Sequence, residues 1–231
     1  MRILIFMAVL LGAGAGAQAQ PIESARFGGE TLAYDHGVLG DMLEYSTLIL
    51  RVEGQSVIIA AGAGYVFEDI APRLVDLDRD GQPEVIVVRT DMALGASLAI
   101  YNAQGLIART PPIGQRYRWL APVGAGDFDG DGVIEIAYVE TPHLGKVLKI
   151  LKYVDGRLIP EAQVDGLSNH RIGEGFISGG VRDCGEGPQI ITADARWKWL
   201  MVTRFEAGEY ISRSAGALTE GSFERALECS E

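Results

Sequence analysis

The stretch Asp76-Leu77-Asp78-Arg79-Asp80-Gly81-Gln82-Pro83-Glu84 returns, fifty-one residues later, as Asp127-Phe128-Asp129-Gly130-Asp131-Gly132-Val133-Ile134-Glu135. Each copy reads Asp-x-Asp-x-Asp-Gly-x-x-Glu and runs directly into an apolar segment, Val85 to Val88 or Ile136 to Val139. Three carboxylates at alternate positions repel one another unless a hard cation sits among them. The spacing suits Ca²⁺, which takes roughly six to eight oxygens, including a backbone carbonyl from the seventh position and a tight turn at a sixth-position Gly. The ligand sets predicted are Asp76, Asp78, Asp80, Gln82 and Glu84 for one ion, and Asp127, Asp129, Asp131, Val133 and Glu135 for a second. The competing reading is a pair of solvated acidic turns between strands.

An EF-hand needs a bidentate Glu at the twelfth position and a helix after it, but the twelfth residues are Val87 and Tyr138, inside apparent strands. The loop therefore leads into β-structure. On these residues the chain resembles the FG-GAP/VCBS repeats of integrin-α-like β-propellers, in which such a loop joins the first two strands of a blade. The family's last side-chain ligand is usually Asp. Here it is Glu, whose longer arm still supplies an oxygen.

Laying the two loops over each other aligns the flanking apolar segments as well, which makes a period near fifty residues. A worn third copy lies around Ile177 to Ala193: Val181 stands where Asp76 would, Gly185 where Asp80 would and Gln189 where Glu84 would. That copy is predicted not to bind calcium. Each unit reads as four strands: roughly 71–76, 84–90, 97–102 and 105–110, then 120–126, 134–140, 146–153 and 157–163, then 176–182, 189–194, 198–205 and 209–214. Before them, strands are predicted over 31–36, 46–52 and 56–61. The first unit lacks an opening strand and Ser222 to Leu227 is left over, so the ring closes most simply if the tail supplies the missing strand; the same residues also fit a short amphipathic helix. The fold predicted is all-β, a small propeller of about four four-stranded blades with few open edges.

Met1-Arg2, an apolar run from Ile3 to Leu11, a small-residue stretch and Ala17-Gln18-Ala19 have the three regions of a secretory signal peptide. This predicts a leader over 1–19, a propeller domain over 20–231 and a secreted or periplasmic location. No stretch is long enough to span a bilayer. The formal net charge of −11 argues against nucleic acid or anionic lipid as a partner. Only Cys184 and Cys229 are present, and in an oxidising compartment two lone cysteines are expected to form a disulfide rather than stay free thiols.

If the acidic loops share one face of the ring, the opposite face receives His36, Tyr117, Arg118, Trp119, His143, Asn169, His170, Arg171 and Trp197. Aromatic and Arg side chains among small residues have the composition of binding hot spots, and the resemblance implies a non-catalytic module that engages a protein or glycan there. Packing of blade edges by the same aromatics is the plainer reading. Two further readings stay open: a metal-dependent hydrolase, in which the three histidines with Asp41 or Glu44 hold Zn²⁺ or act as acid and base, and a purely structural envelope protein. Neither His-Glu-x-x-His nor Gly-x-Ser-x-Gly occurs.

Overall fold

Successive side chains of a strand point to opposite faces, and a strand covered on both faces reads as an unbroken apolar run. Val85 to Val88 obey this rule in the computed structural model, which describes residues 21–230. Val85 and Val87 face one apolar layer, Ile86 and Val88 the next. Ile136 and Tyr138 share the layer of Ile86 and Val88, whereas Ala137 and Val139 face a third, with Leu148, Ile150 and Ile190. Burial of each such Val, Leu or Ile stabilises the fold by about 1.5–3 kcal/mol.

Three antiparallel sheets supply these layers. The first contains β1 (Ile22–Thr31), β2 (Glu44–Val52), β3 (Gln55–Ala60), β4 (Tyr65–Phe67), β5 (Arg73–Val75), β6 (Glu84–Asp91), β7 (Gly95–Asn102) and β8 (Gly105–Arg109), in the order β1-β2-β4-β6-β7-β8, with β3 on β2 and β5 on β6. The second, β12-β11-β10-β9, is built from β9 (Leu120–Gly126), β10 (Glu135–Glu140), β11 (Val147–Val154) and β12 (Arg157–Asp165). β13 (Leu167–Ser168), β14 (Gly180–Asp183), β15 (Pro188–Asp194), β16 (Trp199–Glu206) and β17 (Glu209–Ala217) form the third, followed by α1 (Ser222–Leu227). Tight two-residue turns with both residues at positive φ close three hairpins, at Glu53-Gly54, Asp155-Gly156 and Ala207-Gly208. Gly179, at φ 78, precedes β14, and a Cβ there would lie 2.1 Å from the Ile191 carbonyl oxygen.

The closed four-bladed propeller does not form. Phe67 of β4 pairs with Tyr45 of β2 on one side and with Arg89 of β6 on the other, which stitches the first two predicted units into one eight-stranded sheet. The tail supplies no closing strand. It folds as α1, and Ala226, with Phe223 and Leu227 beside it, covers Ile191, Leu200 and Val202 on the outer face of the third sheet. With a helix on that face, the third sheet has no free face to lay against the first. The first and third sheets meet through loops instead: the Gly173 N–H, between β13 and β14, donates at 3.2 Å to the carbonyl of Val38, between β1 and β2, and Val38 dips into the central layer. The strand predicted over 31–36 is loop for almost its whole length, and β1 precedes it. The leader predicted over 1–19 lies outside the described residues.

Candidate metal centres

Each acidic loop joins two antiparallel neighbours, β5 to β6 and β9 to β10, and ends on a Glu that is the first residue of the second strand. The two loops fold alike, bond for bond. In the first, the Leu77 N–H donates to Glu84 Oε2 at 2.9 Å, Asp80 N–H to Asp78 Oδ1 at 3.2 Å, Gly81 N–H to Asp76 Oδ2 at 3.0 Å and Gln82 N–H to Asp80 Oδ1 at 2.7 Å. The second repeats the set at Phe128 and Glu135 (2.6 Å), Asp131 and Asp129 (3.0 Å), Gly132 and Asp127 (3.1 Å), and Val133 and Asp131 (2.8 Å). Backbone donors thus take one oxygen of each carboxylate and hold the turn.

Three carboxylates of each loop also converge. Asp76, Asp78 and Glu84 offer carboxylate oxygens within 4.8 Å of one another, and so do Asp127, Asp129 and Glu135. Asp80 and Asp131 lie outside those groups and brace the turn. Asp76 Oδ1, Gln82 Oε1, Asp127 Oδ1 and Glu135 Oε1 are buried without a hydrogen-bond partner, an arrangement that calls for an explanation in a folded protein. Hard oxygen donors so placed fit a hard divalent cation, and either loop can coordinate one.

The electrostatics agree. Burial, followed by the neighbouring Asp78 and Asp80, raises the Glu84 carboxyl above its ordinary range, with the Leu77 N–H opposing the shift. Glu135 is pushed up to about 7 by burial, against the Phe128 N–H, with Asp129 and Glu161 adding to the rise. Tyr153 of β11, across from the first loop, is raised to about 12 by burial and by Glu84, Asp78 and Asp80. A cation between the carboxylates relieves this crowding.

Two basic residues that the sequence reading missed also bear on the loops. Arg79 Nη2 reaches from the first loop to Asp127 Oδ2 of the second at 2.9 Å. Lys152 Nζ lies 2.7 Å from Asp129 Oδ2, against Asp131, and 3.8 Å from Glu135 Oε1. The signal for Lys152 was cross-strand register: β11 places it opposite Glu135, and register is visible only once the hairpin is drawn.

The third, worn copy is held differently. Asp183 Oδ1 accepts from the Gly185 and Gly187 N–H groups at 2.8 and 3.1 Å. Gln189 Oε1, where the acidic loops carry Glu, accepts from Arg182 Nε at 3.0 Å. A Cys184–Cys229 disulfide ties this turn to the second residue past α1.

Two loops of one conformation, fifty-one residues apart and each leading into a buried strand, form a repeat. An FG-GAP-like repeat is matched over residues 71–138. The chain carries an FG-GAP-like repeat. The matched span takes in both acidic loops and stops inside β10, well short of the propeller domain expected over 20–231. No curated protein matches the chain, and no solved structure does.

Of the residues predicted to form a partner face, Trp119, Asn169 and His170 are buried, Arg171 is exposed and the others are half-buried. Trp119 is 2% exposed, donates from Nε1 to the Glu68 carbonyl at 2.8 Å and packs against His143 and His170. Asn169 is buried and donates to the Ala121 and Pro122 carbonyls. His143 Nε2 and His170 Nδ1 share a hydrogen bond of 2.8 Å, while His36 Nδ1 pairs with Glu68 Oε1 at 2.5 Å. His36, Tyr117, Arg118, Trp119 and His143 border a cavity of only ≈ 20 Å³, room for about one water. Tyr117 bonds to Asp35, and Arg171 stacks over Trp197 at 4.2 Å. Among the described residues the histidines join no metal-binding group. A module presenting one face of a closed ring, the function expected, has no ring to present. Among the described residues no helix is long and apolar enough to cross a membrane.

Proposed function

We propose that this is an exported, metal-stabilised β-sheet protein in which Ca²⁺ at the two acidic loops clamps β5 to β6 and β9 to β10. The observation that carries the reading is the bond-for-bond identity of the loops, each leaving a first-position oxygen, Asp76 Oδ1 or Asp127 Oδ1, buried and unpartnered. Calcium is favoured over magnesium because it accepts irregular oxygen shells, whereas magnesium demands a near-octahedral set and keeps its waters. Export is supported by the leader-like start and by the disulfide, a bond that persists in oxidising compartments.

A cation that binds only the folded chain adds about 2.7 kcal/mol per site at a hundredfold excess over Kd. Thermal unfolding in millimolar Ca²⁺ is therefore expected at a clearly higher temperature than in chelator, with a smaller rise in Mg²⁺. Asp78→Asn and Asp129→Asn should each remove part of that rise, and Asp183→Asn none of it. Equal melting temperatures in chelator and in calcium, with no heat of binding, would overturn the proposal.

A further inference from the structure

The two loops share a backbone conformation but not a charge balance. Among the described residues no Lys, Arg or His forms an ion pair with Asp76, Asp78, Asp80 or Glu84, whereas the second loop is met by both Arg79 and Lys152. The Lys152 ammonium stands in for a monovalent cation, among the oxygens that would ligate a divalent one. One of these is Glu135 Oε1, buried and without a hydrogen-bond partner. In the first hairpin the corresponding residue is Asn102, one step beyond the Val85 and Tyr101 pair, and its Oδ1 is engaged with the Gln104 and Gly105 N–H groups at 2.9 and 3.2 Å. Among the described residues nothing cationic pairs with the first loop from that side. A cavity of ≈ 320 Å³ bordered by Asp78, Asp80, Glu84, Asn102 and Tyr153 opens onto it instead.

We infer that Lys152 is the built-in counter-ion of the second loop, so that the first loop is the high-affinity divalent site and the second accepts a divalent ion only as Lys152 withdraws. The inference rests on the reading of both loops as cation sites. Two like-signed charges a few ångströms apart repel, so the ammonium competes with a divalent ion for the same carboxylates. Lys152 has a second anchor in reach: Glu161 Oε1 on the adjacent strand β12 lies 3.4 Å from Nζ, and moving toward it frees Asp129 and Asp131 without stranding the ammonium. Arg79 adds to the inequality by neutralising Asp127 from outside the loop.

Calorimetric titration of Ca²⁺ into the full chain tests this with wild type, Asp78→Asn, Asp129→Asn and Lys152→Met. Two classes of site are expected in the wild type, separated by about tenfold or more, with Asp78→Asn removing the tighter and Asp129→Asn the weaker. Lys152→Met should tighten the weaker class by about tenfold and leave the tighter one within about twofold. Lys152→Gln, which keeps a polar end, makes the same comparison should the Met variant aggregate. An unchanged weaker class in Lys152→Met overturns the inference, as does loss of the tighter class in Asp129→Asn. Loss of one class in Asp78→Asn without any response to Lys152→Met sinks this inference alone. No binding in the wild type sinks the cation reading and this inference with it.

Discussion

Glu44, the first residue of β2, is 3% exposed, and its neighbours make ionisation costly. Burial first, then the charges of Glu68, Asp41 and Asp69, push its carboxyl up to about 9. The folded chain therefore keeps a proton that the unfolded chain releases above roughly pH 4.3, and stability falls as pH rises from there toward 9. His143 works on the acid side. Burial, then His170, His36 and Lys146, lower it to about 4, so the unfolded chain takes up a proton the folded one refuses, and stability falls as pH drops from about 6.5 toward 4. Glu44→Gln is expected to raise stability by about 1–3 kcal/mol at pH 8 and by much less at pH 5, measured by thermal unfolding across that range. Equal gains at both values would show that Glu44 is ionised in the folded protein. The sequence grouped the three histidines but could not show that burial pairs His143 with His170 and His36 with Glu68. Such pairing depends on side-chain depth, which no local pattern encodes.

Among the elements, α1 is too short to be stable alone and is held in three ways. Its apolar side packs on the third sheet, Arg182 Nη1 donates to the Ala226 carbonyl at 2.9 Å, and the Cys184–Cys229 bond fixes its end. Cys184→Ser with Cys229→Ser is expected to cost about 2–4 kcal/mol and to accelerate amide exchange throughout α1, with little change in the second sheet. Unchanged protection in α1 would mean that packing alone suffices. Much at this scale was legible. Strands β2, β3, β6 to β12, β15 and β16 lie within a residue or two of their predicted places, because alternating or continuous apolar runs bounded by turn residues mark them. Three strands were not legible: β1, β4 and the two-residue β13. β1 contains Gly28 and Gly29 and buries only Ile22 well, so it carries no alternation, and the three residues of β4 owe their strand to partners on either side rather than to propensity.

For the whole molecule, the fifty-residue period was visible but its outcome was not. Whether repeated sheets close depends on what covers the last one, and Ser222 to Leu227 fits a strand or a helix equally well as a pattern. The answer lies in the tertiary fit of Phe223, Ala226 and Leu227 to the third sheet. The join between the first two units hangs on Phe67, which is fully buried and stacked near Phe27 with its edge toward Tyr101. Phe67→Ala is expected to cost about 3–5 kcal/mol and, by hydrogen exchange, to loosen β2 and β6 together. Loosening of β2 alone would mean that the two halves of the first sheet are independent.

That seam has a practical consequence. The span recognisable by its sequence, 71–138, begins just after β4 and stops partway through β10. A fragment cut to those limits would strip β6 of its Tyr65–Phe67 neighbour and β10 of β11, leaving raw borders that seek mates in other molecules. The length of chain that bears the family's signature and the length that stands by itself in a test tube are therefore different, and any dissection of this protein has to follow the second.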